Sequence, residues 1–105
     1  MQIQINTDKN ISGHEALAQS IEAQLERVLA RFAAQITRIE AHLSDENSTA
    51  KTGIPDKRCL LEVRLAGRQP LSVSELAQTV EQAVGGAAQK MVGALESELG
   101  KLGRR

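Results

Sequence analysis

The order of hydrophobic periods along this chain of 105 residues predicts an α+β fold arranged β-α-β-β-β-α. Three observations support this prediction. Short segments that alternate between polar and apolar residues indicate strands, and two longer segments with apolar residues three and four apart indicate amphipathic helices. Turn-forming residues separate most of these segments. A chain of this length predicts a single domain, residues 1–105.

The first strand and the first helix occupy the N-terminal third of the chain. Residues 2–6 alternate, which places two isoleucines on one face of a strand. Ser12 and Glu15 then have the spacing of a capping box, in which each side chain bonds to the backbone N–H of the other residue. An apolar stripe predicts a helix over about residues 13–35. The stripe consists of Leu17, Ile21, Leu25, Val28, Leu29, Phe32 and Ile36.

Three more strands are predicted in the middle of the chain. Residues 37–44 and residues 58–66 both alternate, and the segment between them has no periodicity and forms the longest loop. Residues 67–70 contain Gly and Pro and predict a hairpin turn. Residues 71 to about 76 then form either a fourth strand or an early start of the next helix.

The last helix is predicted from about Gln78 almost to the C-terminus, although a second capping-box spacing at residues 79–82 leaves its start open. Its apolar stripe consists of Val80, Val84, Ala87, Met91, Leu95, Leu99 and Leu102. Four glycines interrupt this helix, and each costs roughly 1 kcal/mol relative to Ala. They either allow a neighbour to approach closely or simply lower the stability of the helix. They are Gly85, Gly86, Gly93 and Gly100.

Two amphipathic helices and a sheet of alternating strands can bury all their apolar faces in a two-layer arrangement. We predict a four-stranded, mostly antiparallel sheet with both long helices packed on one face, so that all the apolar surfaces share one core. The other face of the sheet is then polar. It displays Gln4, Arg38, His42, Glu62 and Arg64.

Composition restricts the function. Thirteen Lys and Arg cancel thirteen Asp and Glu, with five basic and seven acidic residues in 1–52 and eight and six in 53–105. The only aromatic residue is Phe32, which disfavours recognition by base stacking. Cys59 has no partner for an internal disulfide. Without a signal segment or an apolar run long enough to cross a membrane, we expect a cytoplasmic protein.

The chain shows no catalytic motif. Cys59 faces inward on its strand, which favours a structural cysteine over a reactive thiol. His14 and His42 have no further ligands at metal-binding spacing, so the sequence predicts no metal site. Nucleophile-elbow and phosphate-loop patterns are also missing. We therefore predict no enzymatic activity, no cofactor and no small-molecule substrate.

Basic side chains on the predicted helices are the remaining candidates for a binding site. Arg27 and Arg31 lie one turn apart on the first helix, Lys90 lies on the second, and Lys101 and Arg104 lie at its end. Such residues either bind phosphate groups or only solvate a helix face and complement its dipole.

The order of elements resembles the ribosome hibernation-promoting factors, also called the ribosome-associated inhibitor family, over nearly the whole chain. The resemblance implies binding to the small ribosomal subunit in the channel used by mRNA and tRNA, which blocks translation and protects idle ribosomes under stress. The similar segments are Asn10-Ile11, Glu15-Ala16-Leu17, Leu25-Glu26-Arg27, Phe32, Ala83-Val84, Gly86, Lys90-Met91 and Leu95.

The resemblance implies that Arg27, Lys90 and Lys101 contact the rRNA backbone, and Arg31 and Arg104 add charge beside them. Several lysines typical of the family are replaced, as is the aromatic residue at the start of its second helix. The replaced positions are Ala23, Gln24, Ala30 and Gly93.

Because the chain has no room for the second, dimerising domain of the longer family members, we expect a monomer. Two alternatives remain open. The first is a protein-interaction module of the same fold that has lost ribosome binding. The second is a double-stranded RNA-binding domain, which normally carries a lysine cluster where this chain has residues 78–82.

Overall fold

The structure is a computed structural model that describes residues 1–8, 11, 14–46 and 56–103, without the side chains of residues 14 and 101–103. The predicted order β-α-β-β-β-α is confirmed, with one short 3-10 helix added at Ala30–Phe32. The elements are β1 (Gln2–Thr7), α1 (His14–Leu29), β2 (Ile36–Asp45), β3 (Lys57–Leu65), β4 (Leu71–Ala77) and α2 (Val80–Gly103).

The four strands form one sheet in the order β1-β2-β3-β4. β2 pairs antiparallel with β3, and β3 pairs antiparallel with β4, so the predicted mostly antiparallel sheet is confirmed. β1 pairs with β2 in parallel. This pairing follows from the chain order, because α1 is the crossover that returns the chain to the same end of the sheet.

The first helix is shorter than predicted. α1 ends at Leu29, and a 3-10 helix continues the chain to Phe32. Main-chain hydrogen bonds from Ala33 N–H to the Ala30 carbonyl (3.1 Å) and from Gln35 N–H to the Phe32 carbonyl (2.9 Å) tighten this turn. A 3-10 turn keeps Phe32 directed at the core while it ends the helix and turns the chain toward β2.

Ile36 belongs to β2 and not to the first helix, where its spacing had placed it. The register between β2 and β3 shifts between Ile36 and Arg38, so Thr37 is an extra residue in the ladder. Such a bulge changes which face a side chain occupies. It explains why Ile36 and Ile39 are both buried although they lie three residues apart.

Both helices pack on the same side of the sheet and form one core with the inward side chains of the strands. The core contains almost no aromatic surface and relies on aliphatic residues, Met91 and Cys59. Its largest fully buried side chains include Ile21, Leu25, Leu29, Ile39, Leu61, Met91 and Leu95.

The start of α2 is now defined. β4 extends to Ala77, so residues 71–76 form a strand and not an early helix. The Thr79 hydroxyl accepts a hydrogen bond from Gln82 N–H at 3.1 Å, as an N-cap residue does.

The proposed capping residue Ser12 and most of the long loop lie outside the described residues. Neither helix, in the part of the chain that is described, is both long and apolar enough to cross a membrane.

Candidate nucleic-acid interface

Arg27 is the most available of the predicted phosphate contacts. It lies in the last turn of α1, where a cation also complements the helix dipole. Its side chain is exposed and forms no hydrogen bond or ion pair with any described residue. Glu22 and Glu26 are exposed on the same helix, so the surface around this guanidinium is of mixed charge.

Arg31 lies in the 3-10 helix after α1, and its guanidinium is already bound. Its Nη2 lies 2.5 Å from Oε2 of Glu96 on α2, and its central carbon lies 4.7 Å from the centroid of the Phe32 ring. About three fifths of each charged side chain of the ion pair remains exposed, at 60% and 56%. Exposed ion pairs contribute only about 0–1 kcal/mol, so this pair does not prevent Arg31 from binding another anion.

Lys90 bridges α2 and the edge strand β4. Its Nζ lies 2.7 Å from Oε1 of Glu75 and donates a hydrogen bond to the main-chain carbonyl of Ser74 at 2.9 Å. Half of the lysine side chain is exposed. Lys90 is therefore accessible, but its charge is partly neutralised in this arrangement.

The structure places Arg31 and Lys90 on different sides of α2. Six residues separate Lys90 from Glu96, which corresponds to about 600° of helix rotation and places them on different sides of α2. Lys90 meets β4, whereas Glu96 and its partner Arg31 lie on the side of α1. Lys101 lies in the last turn of α2 with an undescribed side chain, and Arg104 lies outside the described residues.

Most of the described basic side chains are already paired with carboxylates. Eight of the thirteen Lys and Arg have described side chains, in a chain whose basic and acidic residues cancel. Among these eight, only Arg27 and Arg64 have no acidic partner within 4 Å in the described part of the chain. The six basic residues in ion pairs are Arg31, Arg38, Lys57, Arg58, Arg68 and Lys90.

Lys57 illustrates how firmly some of these cations are held. Its Nζ donates to Oδ1 of Asp56 at 2.8 Å and lies 3.5 Å from Oδ2 of Asp45. The hydrogen bond to Asp56 is the main cause that raises the pKa of Lys57 above its ordinary value. This cation ties the two ends of the long loop together and is poorly placed to bind a separate anion.

Arg68 joins the β3–β4 turn to α2, a role that no pattern in the sequence indicated. It donates to the Glu98 carboxylate and to the Glu98 main-chain carbonyl, the latter at 3.2 Å. Gly67, at φ +70°, makes the turn that places this arginine. The turn residues were visible in the sequence, but nothing there showed that the turn lies against the second helix.

Comparison with known proteins identifies the family. The sequence model of the family described as "Sigma 54 modulation protein / S30EA ribosomal protein" matches residues 3–103. The chain belongs to this family. The resemblance seen in the sequence is thereby confirmed. No curated protein sequence matches this S30EA-family chain.

Solved structures agree with the fold of the S30EA-family chain. The N-terminal domain of Protein Y from Thermus thermophilus is 18% identical, with a TM-score of 0.71 over 92% of this chain and 98% of that one. A ribosomal subunit interface protein from Coxiella burnetii is 19% identical, with a TM-score of 0.69 over the whole of both chains. At these identities, the comparison establishes the fold alone.

The single cysteine of this S30EA-family chain has a structural role. Cys59 is fully buried on the helix side of β3. Burial away from water raises the pKa of its thiol to about 12. A thiol that stays protonated at neutral pH is a poor nucleophile, so the expectation of a structural cysteine is confirmed.

Proposed function

We propose that this S30EA-family chain is a ribosome-associated factor that binds the small ribosomal subunit through contacts to the rRNA backbone. Bound there, it holds translation in an inactive, hibernating state. The family match over residues 3–103 is the main support for this proposal. The binding is a matter of phosphate neutralisation and fit of shape, with no reaction catalysed.

Five cations are the proposed rRNA contacts: Arg27, Arg31, Lys90, Lys101 and Arg104. Arg27 can meet a phosphate without breaking any contact to a described residue. Arg31 and Lys90 must exchange a glutamate for a phosphate, which costs little because both ion pairs are exposed. We expect the protein to act as a cytoplasmic monomer, with one copy for each subunit.

Salt dependence provides a quantitative expectation. Each neutralised phosphate contributes about 0.7–0.9 to the slope of log affinity against log salt, so five contacts give a slope of about −4. The whole chain has no net charge, so it adds no long-range attraction to RNA beyond these contacts. Binding should therefore be strong only at low ionic strength.

Cosedimentation with purified small subunits at two salt concentrations tests the proposal. The wild-type protein should pellet with the subunit at low salt and be released at high salt. Combining Arg27→Glu with Lys90→Glu should abolish pelleting at low salt. Arg64→Glu is the control for each single substitution, because it reverses an exposed charge on the face of the sheet that the helices leave uncovered. A wild-type protein that stays in the ribosome-free fraction at low salt contradicts the proposal.

A protein-interaction module of the same fold is the second candidate. The absence of net charge supports it, because a neutral chain lacks the long-range attraction to RNA that a basic surface provides. A partner retained after nuclease treatment and insensitive to the Arg27→Glu, Lys90→Glu double substitution would favour this candidate. Loss of all binding after nuclease treatment would favour the rRNA contacts.

A further inference from the structure

Both helices cover one face of the sheet, and we call the other face the open face. Three side chains able to bind a metal ion meet there. Glu40 and His42 lie two residues apart on β2 and so share a face, and Glu62 on β3 is the cross-strand partner of Glu40. One ligand atom from each residue lies within 4.8 Å of the others. Sequence spacing did not reveal this group, because the strand register brings Glu62 to the other two.

The two glutamates form a like-charge pair directly across neighbouring strands, an arrangement that destabilises a sheet unless a cation lies between the carboxylates. Glu40 is only partly neutralised, because its Oε2 accepts from Arg38 Nε at 2.8 Å. Glu62 is half-buried and has no hydrogen bond or ion pair with a described residue. The group therefore has one carboxylate without a counterion among the described residues and, on the other, one oxygen that Arg38 does not bind.

The orientation of the imidazole ring also suits a metal ion. His42 Nε2 lies 3.4 Å from Glu40 Oε1, the oxygen that Arg38 leaves free. On the other side of the ring, Nδ1 lies 3.4 Å from Asn6 Nδ2, and Asn6 Oδ1 accepts a hydrogen bond from Gln4 Nε2 at 3.1 Å. A metal ion on Nε2 needs a proton on Nδ1, so the Asn6 amide must turn over to accept that proton and give up its bond from Gln4.

We propose that the open face binds one divalent transition-metal ion such as Zn²⁺ through Glu40 Oε1, His42 Nε2 and a carboxylate oxygen of Glu62. Water completes the coordination, because the site faces solvent. An imidazole nitrogen among the ligands favours Zn²⁺, Co²⁺ or Ni²⁺ over Mg²⁺ or Ca²⁺. Arg38 competes with the ion for Glu40 and adds a positive charge beside it.

Isothermal titration of the tag-free chain with ZnCl₂ tests this proposal, with Co²⁺ absorption as a second readout. We expect one ion per chain and no detectable heat with MgCl₂. Loss of an outer partner alone typically weakens a metal site about 10–100-fold, so His42→Ala and Glu62→Gln should each weaken binding by at least about tenfold. Arg38→Gln should tighten binding severalfold, because it removes a competing cation.

Two control variants separate this site from nonspecific binding. His14→Ala removes the only other histidine, and Glu46→Gln removes a carboxylate elsewhere on the chain; both should bind Zn²⁺ as the wild type does. Thermal unfolding without metal verifies that every variant is folded. Absence of binding at millimolar Zn²⁺, unchanged binding by His42→Ala, or weaker binding by Arg38→Gln overturns the proposal. The titration contains no ribosomes, so its outcome is independent of the proposed function.

Discussion

The Glu75 carboxylate lies over Gly86, in the space that a side chain at position 86 would occupy. A Cβ added to Gly86 would lie 2.6 Å from Glu75 Oε2 and 2.7 Å from its Cγ. Glu75 continues along α2 to Lys90, which lies one helical turn beyond Gly86. Of the two explanations considered for the helix glycines, close approach therefore applies at Gly86, whereas an added Cβ at Gly93 would meet no described atom within 4 Å.

This contact predicts different results for two glycine-to-alanine substitutions in α2. Gly93→Ala should stabilise the protein by about 0.5–1 kcal/mol, because Ala is the better helix former and its methyl group meets open space. Gly86→Ala should give little or no gain, because Glu75 must move and release Lys90. Urea unfolding of both variants measures the difference.

A double substitution tests whether Glu75 is the reason that Gly86→Ala gives no gain in stability. With Glu75→Ala in the background, Gly86→Ala should recover a gain similar to that of Gly93→Ala, since the obstructing side chain has been removed. An equal gain from both glycine substitutions in the wild-type background would show that Glu75 moves aside without cost.

The ion pair of Arg68 should contribute more to stability than the more exposed ion pair of Arg58. The Arg68 and Glu98 side chains are only 19% and 29% exposed, and the arginine also donates to a main-chain carbonyl of α2. Hydrogen bonds to charged groups contribute about 1.5–3 kcal/mol, so Arg68→Ala should cost about 1–2 kcal/mol after allowance for this partial exposure.

Arg58→Ala is the matched control for Arg68→Ala. Arg58 and Glu46 are 45% and 48% exposed, so this change should cost about 0–1 kcal/mol. Thermal or urea unfolding compares the two variants directly. Equal losses would mean that Arg68 does not hold the β3–β4 turn against α2.

Hydrophobic periodicity alone was sufficient to predict the order of the helices and strands and most of the strand boundaries. It failed at residues 30–36, where the spacing of Phe32 and Ile36 continued the helical stripe. There, a 3-10 turn and a bulge at Thr37 bury both side chains without a continuous helix. Both devices depend on where β2 must start to pair with β1 and β3, which is a tertiary requirement that no local pattern contains.

Buried Cys59 predicts a specific dependence of stability on pH. Its pKa rises from an ordinary 9.0 to about 12 on folding. Well below pH 9 the thiol is protonated in both states and makes no pH-dependent contribution. Between pH 9 and 12 the unfolded chain releases this proton while the folded chain keeps it, so stability falls as pH rises. The loss by pH 10 should be on the order of 1 kcal/mol.

Cys59→Ala separates this effect from lysine titration, since the variant keeps every lysine. The advantage of the wild type over the variant in free energy of unfolding should shrink between pH 8 and pH 10. In the folded protein, a disulfide reagent at pH 8 should react with Cys59 only as fast as the chain unfolds. A constant difference between the two proteins across this range would contradict the burial of the thiol.

The sequence predicted less of the candidate site than of the fold. The sequence shows which residues carry charge, but the partner of each charge depends on tertiary contacts. Arg31 lies beyond the end of α1 and pairs with Glu96, a partner that its spacing from Arg27 did not indicate. Glu62 lies far from His42 in sequence and reaches it only through the β2–β3 register.

The ion pairs on α2 lead to a final prediction about ribosome binding, which rests on the proposed function. Glu96 and Glu75 neutralise two of the proposed rRNA contacts, Arg31 and Lys90. Glu96→Gln and Glu75→Gln should each strengthen binding to the small subunit, because they free a cation and remove a charge that repels phosphate. The gain should diminish as salt increases, since both effects are electrostatic.

Glu62→Gln makes the same change in net charge on the open face of the sheet, and it frees no cation because Glu62 has no ion pair with a described residue. If the helix cations contact rRNA, this control should strengthen binding less than either α2 substitution at every salt concentration. Cosedimentation titrations of the four proteins measure the order. Equal gains from all three variants would mean that net charge alone controls binding, and the assignment of Arg31 and Lys90 as specific contacts would then be wrong.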